Sequence, residues 1–251
     1  MSFPHHPRKH REEPLFTASE FHRYESKRTG SPPPRPPRNI VLVFGRRWER
    51  YLSRRYPGSP ALRNSGIYRA NDEVGVSIVG GPGAPYAAIV VEELAALGVR
   101  RFLIAGIAGS LQPKLRAGSL VICNRALRDE GTSHHYAGPS VFAYPSSKLT
   151  RVLRSTLERH GTSFTVGPTW TTDAPYRETI PEVRRYRKQG ILTVEMEASA
   201  VFSVARCRGC EAAAMFVISD HLDERGWEPR FHDSRPGLRH ALNLAVEALA
   251  A

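Results

Sequence analysis

The sequence predicts one α/β domain behind an N-terminal tail, on three observations. Short apolar runs closed by glycine alternate with helix-period segments, the order of strand, turn, helix and strand that builds α/β proteins. The chain has 251 residues, 41% of them hydrophobic, enough for one sizeable core without a second domain. Two of the apolar runs end directly on acidic residues, and in open α/β sheets ligands bind beyond the carboxyl ends of the strands.

Residues 1–38 hold eight of the 20 prolines and end in SPPPRPPR at 31–38. With almost no periodic hydrophobicity, they predict a disordered or extended Pro/Arg/His-rich arm, its proline run a stiff lead-in more than an SH3-type ligand. His5, His6 and His10 are assigned no role. The domain proper is residues 39–251. IVLVF at 40–44, closed by Gly45, and VGVSIV at 74–79, closed by Gly80, read as buried strands. After GGPGAP at 80–85 comes a helix over 86–97 with Gly98 as its stop. RFLIA at 101–105 is a strand that runs into a glycine turn at 106–109. GSLVIC at 118–123 is a further strand and 149–160 an amphipathic helix. FTVG at 164–167 is a short strand before a loop at 169–173, and 179–189 is a polar helix. A nearly all-apolar helix over 197–208, a core strand over 212–218 and a last helix over 238–250 complete the pattern.

Composition excludes several classes. No apolar run approaches the ~18 residues of a membrane helix, and MSFPHHPRKHREEP lacks the apolar core of a secretory signal, so a cytoplasmic protein with no membrane partner is expected. Three cysteines cannot build a disulfide framework, and the CxxC spacing of Cys207 and Cys210 lacks a second ligand pair for zinc. A formal net charge of +12 raises the question of nucleic acid. The arginines, however, occur as scattered pairs with no aromatic-rich basic face and no recognition motif, which argues against that partner.

Three strand ends present polar groups to one edge: the glycine turn at 106–109, the stretch TVEMEASA at 193–200, and Ser219-Asp220. Glu195 and Glu197 flank Met196 where a β-branched run turns into a helix-forming one. The plain alternative for Glu197 is a first-turn acid on the following helix, and for Asp220 an N-cap.

Six motifs, in order, then resemble the nucleoside phosphorylase family of purine nucleoside phosphorylases, uridine phosphorylases and methylthioadenosine nucleosidases. They are GGPGAP at 80–85, GIAGSL at 106–111, RDEGTS at 128–133, TTDAPYRET at 171–179, VEMEA at 194–198 and VISD at 217–220, spread over about residues 39–225. The resemblance implies a single three-layer α/β/α domain around a central mixed, mostly parallel sheet, assembled as a homo-oligomer of dimers, trimers or hexamers, with a small-molecule nucleoside as partner. Cleaving an N-glycosidic bond builds positive charge on the ribose and negative charge on the base, so such a site must grip the one and neutralise the other. The resemblance implies that Glu197 holds the ribose 2′ and 3′ hydroxyls, Met196 packs on the sugar and Glu195 lines the pocket. It implies that Asp220 shares a proton with purine N7 as general acid, with Ser219 and Gly109 beside it. Pro175 stands where a base-stacking phenylalanine is usual, which leaves stacking to Tyr176 or elsewhere and a base carbonyl to Arg177. The RDEGTSHHY loop, with His134 and His135, is implied as pocket wall and subunit contact.

The nucleophile site departs from the family. Its phosphate loop reads Gly45-Arg46-Arg47-Trp48-Glu49, the strand-end arginine position is Ile104, and the hydroxyl position of the glycine turn is Ile107. Arg46, Arg47 or Arg50 are the candidates for the loop arginine and Arg63 or Arg69 for one lent by a neighbour; Glu49 is the candidate for activating water. The expectation is cleavage of a nucleoside, purine favoured, by phosphorolysis to free base and ribose 1-phosphate, with no cofactor and inorganic phosphate as co-substrate. Hydrolysis by water and non-catalytic nucleoside or nucleotide binding are the alternatives.

Overall fold

The computed structural model describes residue 6, residues 8–56 and residues 65–251. In chain order the elements are α1 (Ala18–Thr29), β1 (Asn39–Phe44), α2 (Glu49–Arg55), β2 (Ser65–Arg69), β3 (Val74–Val79), α3 (Ala84–Ala96), β4 (Arg101–Ser110) and β5 (Leu120–Asp129). There follow β6 (Phe142–Ala143), α4 (Ser147–Arg159), β7 (Thr165–Thr172), α5 (Ile180–Lys188), β8 (Thr193–Glu195), α6 (Ala198–Cys207), β9 (Glu211–Asp223), β10 (Gly226–Pro229) and α7 (Arg235–Ala250).

The sheet is mixed. Strands β3, β1, β4 and β9 pair in parallel, as do β5, β7 and β8. The two parallel groups join antiparallel at β9–β5 and at β8–β4. Because β4 pairs with both β9 and β8, the strands β4, β9, β5, β7 and β8 close into a ring. Antiparallel β2 and β10 continue the sheet outward from β3 and β9, and β6 pairs with β5. Such mixed pairing is what lets two parallel units share one closed barrel.

Both sheet faces are covered. α3 and α6 pack with Phe102, Ile104 and Phe216 on one face; α2, α4 and α7 pack with Leu103, Ala105 and Met215 on the other. Alternation along β4 sends even and odd residues to opposite cores, the period-2 geometry of a strand. Ile40, Val41, Leu42 and Val43 are fully buried, about 1.5–3 kcal/mol for each such side chain. This continuous apolar run is what a strand covered on both faces requires.

The structure corrects several boundaries. The segment read as an extended arm contains α1. Thr17 and Glu20 form a reciprocal capping box at its start, and His22 Nε2 lies 3.0 Å from Glu93 O. The sequence signal, T-x-x-E at 17–20, belongs to cap chemistry and not to periodicity. The glycine turn at 106–109 is continuous strand: β4 runs through it, with a register slip that sets Ala108 opposite Ile218 and Gly109 opposite Asp220. Ser219 is the extra residue of that bulge. The expected loop at 169–173 is mostly β7, β5 extends past Cys123 to Asp129, and β9 extends past Ile218 to Asp223. Thr171 is tolerated there because its backbone has a partner strand on each side, Arg128 of β5 and Glu195 of β8, and Asp220 lies likewise between β4 and β10.

Candidate functional site

The junction after β8 is built from two acids with different duties. Glu195, 5% exposed, accepts from Thr171 Oγ1 at 2.5 Å, from Glu197 N at 2.8 Å and from Ala198 N at 2.7 Å. Thr171 Oγ1 also accepts from Ser199 N at 3.1 Å. Together they satisfy the first amide groups of α6, which no residue further along the helix can do. Glu195 is therefore the helix cap, and this frees Glu197 from the capping role that sequence alone allows it. The Glu197 carboxylate turns the other way and accepts from Gly83 N at 2.7 Å. Gly83 has φ +102° and its position faces Met196 Cε at 4.0 Å. This places the GGPGAP loop, Met196 and Glu197 around one space. Burial pushes the pKa of both glutamates up, and the Glu197 charge pushes Glu195 further.

Asp220 stands across from this pair. On the backbone, Gly109 is the partner of Val194 on one side and of Asp220 on the other, so the two acidic strand ends flank β4 at about 10 Å, two inter-strand spacings. A Cβ on Gly109 would sit 3.0 Å from Asp220 Oδ2 and 3.2 Å from Val194 Cγ1, and inside contact distance of Leu222 Cδ1. Only glycine fits. The bulge at Ser219 turns Asp220 toward it, a known use of bulges beside active sites. Ser219, 1% exposed, donates to Asp220 Oδ1 at 2.6 Å and lies 3.4 Å from Ala108 O. It positions the acid from behind. Asp220 Oδ2 accepts from Trp227 Nε1 at 2.8 Å. Trp227 pairs opposite Leu222 across the β9–β10 hairpin, which makes Asp220 its diagonal neighbour on the same face.

A fourth carboxyl lies close to Asp220. Glu178, half-buried ahead of α5, has its pKa pushed up to about 7 by burial, then by the charges of Asp220 and Glu182. The polar RDEGTS loop is folded around Arg128, which donates to Ser133 Oγ and to the carbonyls of Ala137, Gly138 and Ser140. Glu130 accepts from Ser133 N and Ser199 Oγ, joining this loop to α6. His134 Nε2 lies 3.4 Å from Arg128 O. Burial lowers the pKa of His135.

Other sequence candidates disperse. Tyr176 is 99% exposed and Arg177 is exposed, so neither has a pocket wall to lie on within this chain. Gly45, at φ +86°, donates to Val79 O and opens the turn after β1. Arg46 pairs with Glu49 at 3.0 Å on the surface, which engages both the arginine and the candidate water activator. Arg47 is also exposed, but its guanidinium is partly desolvated and close to Arg235, and both effects, desolvation first, lower its pKa; neither Arg47 nor Arg235 has a carboxylate partner among the described residues. Arg50 is exposed. Arg69 donates to Arg35 O, and Arg63 lies outside the described residues. Ile104 is fully buried in one core and Ile107 packs against the other.

Sequence reasoning passed over Gly83, Thr171, Glu178, Trp227 and Arg235. DERG at 223–226, with Gly226 at φ +132°, is a hairpin signal that would have extended β9 and brought Trp227 back onto Asp220.

Solved structures share this architecture. The uridine phosphorylase of Vibrio fischeri superposes with a TM-score of 0.73 at 24% identity, over 86% of this chain and 92% of that one. The purine nucleoside phosphorylase of Toxoplasma gondii in complex with immucillin-H gives 0.76 at 19% identity, over 86% and 91%. The class is an α/β domain of the nucleoside phosphorylase fold, with buried carboxylates at the strand ends. Residues 56–250 match the model of the phosphorylase superfamily, and the chain belongs to that family. Among its relatives, a guanosine phosphorylase of Halorubrum lacusprofundi is 36% identical over 142 residues, 57% of this chain and 59% of that protein. A uridine phosphorylase of Treponema pallidum is 30% identical over 192 residues, 70% of this chain and 73% of that protein. Some matches thus span little more than half of the relative's length, as with 54% of a Thermococcus kodakarensis uridine phosphorylase. Among the described residues, no helix is long and apolar enough to cross a membrane.

Proposed function

We propose that this chain cleaves the N-glycosidic bond of a purine nucleoside by phosphorolysis, as a cytoplasmic homo-oligomer, releasing the free base and ribose 1-phosphate. The observation that carries the reading is a pair of buried carboxylates at the two strand ends that flank Gly109: Asp220, its partner on β9, and Glu197, three residues beyond its β8 partner Val194. Glu197, oriented by its bond from Gly83 N, offers its carboxyl to the ribose hydroxyls. Met196 packs on the sugar. As the C1′–N9 bond lengthens, ring oxygen electrons stabilise the positive sugar and a phosphate oxygen bonds to C1′ to give ribose 1-phosphate, while the electron pair of the broken bond stays on the base, which takes at N7 the proton it shares with the Asp220 carboxyl. Ser219 holds Asp220 in place, and Glu178 adds an acceptor for a base edge that bears N–H groups. Gly45 and Arg47, joined by Arg235, are the proposed phosphate contacts: two guanidiniums without carboxylate partners suit an oxyanion, which arginine binds through paired N–H groups.

One observation favours water as the nucleophile instead. Ile104, where the family carries a phosphate-binding arginine, is fully buried among apolar residues. A panel of nucleosides incubated with and without inorganic phosphate separates the two. Ribose 1-phosphate formed only with phosphate supports phosphorolysis; free ribose formed without it supports hydrolysis. No cleavage by either route, together with nucleoside binding, leaves a binding protein. Asp220→Asn is expected to lower purine nucleoside cleavage by about 100-fold, and unchanged turnover removes Asp220 from the mechanism.

A further inference from the structure

The three tryptophans of the chain sit in two kinds of place. Trp48 and Trp170 are 4% and 1% exposed, whereas Trp227 is 60% exposed on the edge strand β10. An indole left this open is not held there by burial, since most of its apolar area stays in water. What it does make is a single directed contact, the 2.8 Å hydrogen bond from Nε1 to Asp220 Oδ2. Phe231, 40% exposed, stands edge-on to it with ring centroids 6.2 Å apart. An open aromatic pair thus borders the acid that handles the base. The usual stacking ring is replaced by Pro175, and Tyr176 points to solvent.

The chemistry of the contact is informative. A purine leaving the sugar with a proton on N7 presents a ring N–H in a five-membered ring fused to a six-membered one. The indole presents the same group in the same kind of bicycle. Trp227 therefore occupies, on Asp220, the acceptor that such a base needs. The hairpin that carries it can yield: all four residues of β10 are exposed, Gly226 is at φ +132°, and the turn is tied by the exposed pairs Arg184–Glu224 and Arg225–Asp223.

We infer that Trp227 is the base-contacting aromatic of this site: its N–H caps Asp220 Oδ2 in the free protein, and on nucleoside entry the base takes that oxygen while the indole lies against the base's face. This rests on the purine nucleoside cleavage proposed above and names the residue that selects a fused bicyclic base. Stacking of a base on an aromatic side chain changes affinity by roughly 5- to 150-fold on alanine substitution.

The test compares Trp227→Phe with Trp227→Ala, using guanosine, inosine and uridine with phosphate, each variant first checked by its melting temperature. Trp227→Ala is expected to raise the purine nucleoside KM by about tenfold, with a smaller change in kcat. Trp227→Phe, which keeps the ring and loses the N–H, is expected to stay within about threefold of the parent. If both variants fall equally, the indole acts only by holding Asp220 and the inference is overturned. A second readout does not need turnover. Guanine or hypoxanthine added to the parent protein should quench the exposed tryptophan emission and shield it from acrylamide, and Trp227→Phe should lack this response. Absence of quenching in a protein that cleaves purine nucleosides refutes the role of Trp227 and leaves the cleavage proposal intact. Quenching by bases in a protein that cleaves nothing refutes the cleavage proposal and leaves the stacking role intact.

Discussion

Gly109→Ala is the sharpest single perturbation of the site. The added Cβ would meet Asp220 Oδ2 at 3.0 Å and Val194 Cγ1 at 3.2 Å, with Leu222 Cδ1 closer still. Relaxed carbon contacts lie at about 3.5–4.0 Å, so Leu222 must leave its place and Asp220 must retreat by a few tenths of an ångström. Overpacking of this kind costs about 1–3 kcal/mol, which for a chain of this size lowers Tm by roughly 2–10 °C. Displacing a reacting group by about 1 Å costs about 100-fold in rate, and a smaller shift of Asp220 points to a loss of roughly tenfold in kcat/KM. Gly106→Ala is the control, because its Cβ would only touch Ile104 Cγ2 and Phe216 Cδ1 at 3.4 Å, ordinary contact. Thermal melts and purine nucleoside kinetics on both variants decide the matter. Adding Leu222→Ala to Gly109→Ala should recover stability but not activity, since the crowding of Asp220 persists. Equal behaviour of Gly109→Ala and Gly106→Ala in both assays would sink the claim that Gly109 is the floor between the two acids.

The two glutamates should separate by assay. Glu195→Gln can keep an oxygen on the amides of Glu197 and Ala198 but sets its NH2 where Oε1 accepts from Thr171, leaving that buried hydroxyl without its acceptor at a cost of about 1–3 kcal/mol of stability, while Glu197→Gln, which can keep its oxygen on Gly83 N, should leave the melt nearly unchanged and lower kcat/KM by about 10- to 100-fold through weaker bonds to the sugar hydroxyls. The reverse pattern would exchange their roles. Glu178 gives a pH dependence of stability: its folded pKa of about 7 lies above the ordinary 4.5, so the fold favours the protonated form and loses stability as pH climbs from 4.5 through about 7. Glu178→Gln should therefore match the parent near pH 4 and exceed it by about 1–2 kcal/mol at pH 8 in denaturant titrations, the full shift being discounted for partial solvent access; a constant difference across pH would refute this. Arg47→Ala should raise the KM for phosphate by about tenfold or more while Arg46→Ala does not, and equal effects would remove Arg47 from the phosphate site.

Much of the fold was legible because glycine punctuates it. The apolar runs at 40–44, 74–79 and 212–218 became β1, β3 and part of β9, and Gly98 and Gly190 end helical segments at φ +100° and +78°. The ring closure was not legible, since a strand paired on both sides tolerates Thr171 or Asp220 and so shows no apolar run. Helix α1 escaped because a capping box and one histidine contact hold it, neither of which has a period. In the candidate site, motif and order bring Glu195, Glu197 and Asp220 to strand ends, and the resemblance assigns Glu197 to the ribose and Glu195 to the pocket wall. That Glu195 caps α6 was not legible, because only the direction of Thr171 and of the amides of Glu197 and Ala198 shows it. Trp227 is invisible without the turn at 223–226, which alone sets its register against Asp220.

The closed ring of β4, β9, β5, β7 and β8 has a consequence for how the molecule moves. Opening a strand inside a ring breaks two ladders at once, whereas opening β10 breaks one, so local unfolding should sort the site into a slow part and a fast part. Glu195, Gly109 and Asp220 belong to the slow part and keep their spacing through every encounter with a ligand. Trp227 belongs to the fast part, on four exposed residues held by one ladder at the edge of the ring, and hydrogen exchange there should outpace that of β4, β9 and β8.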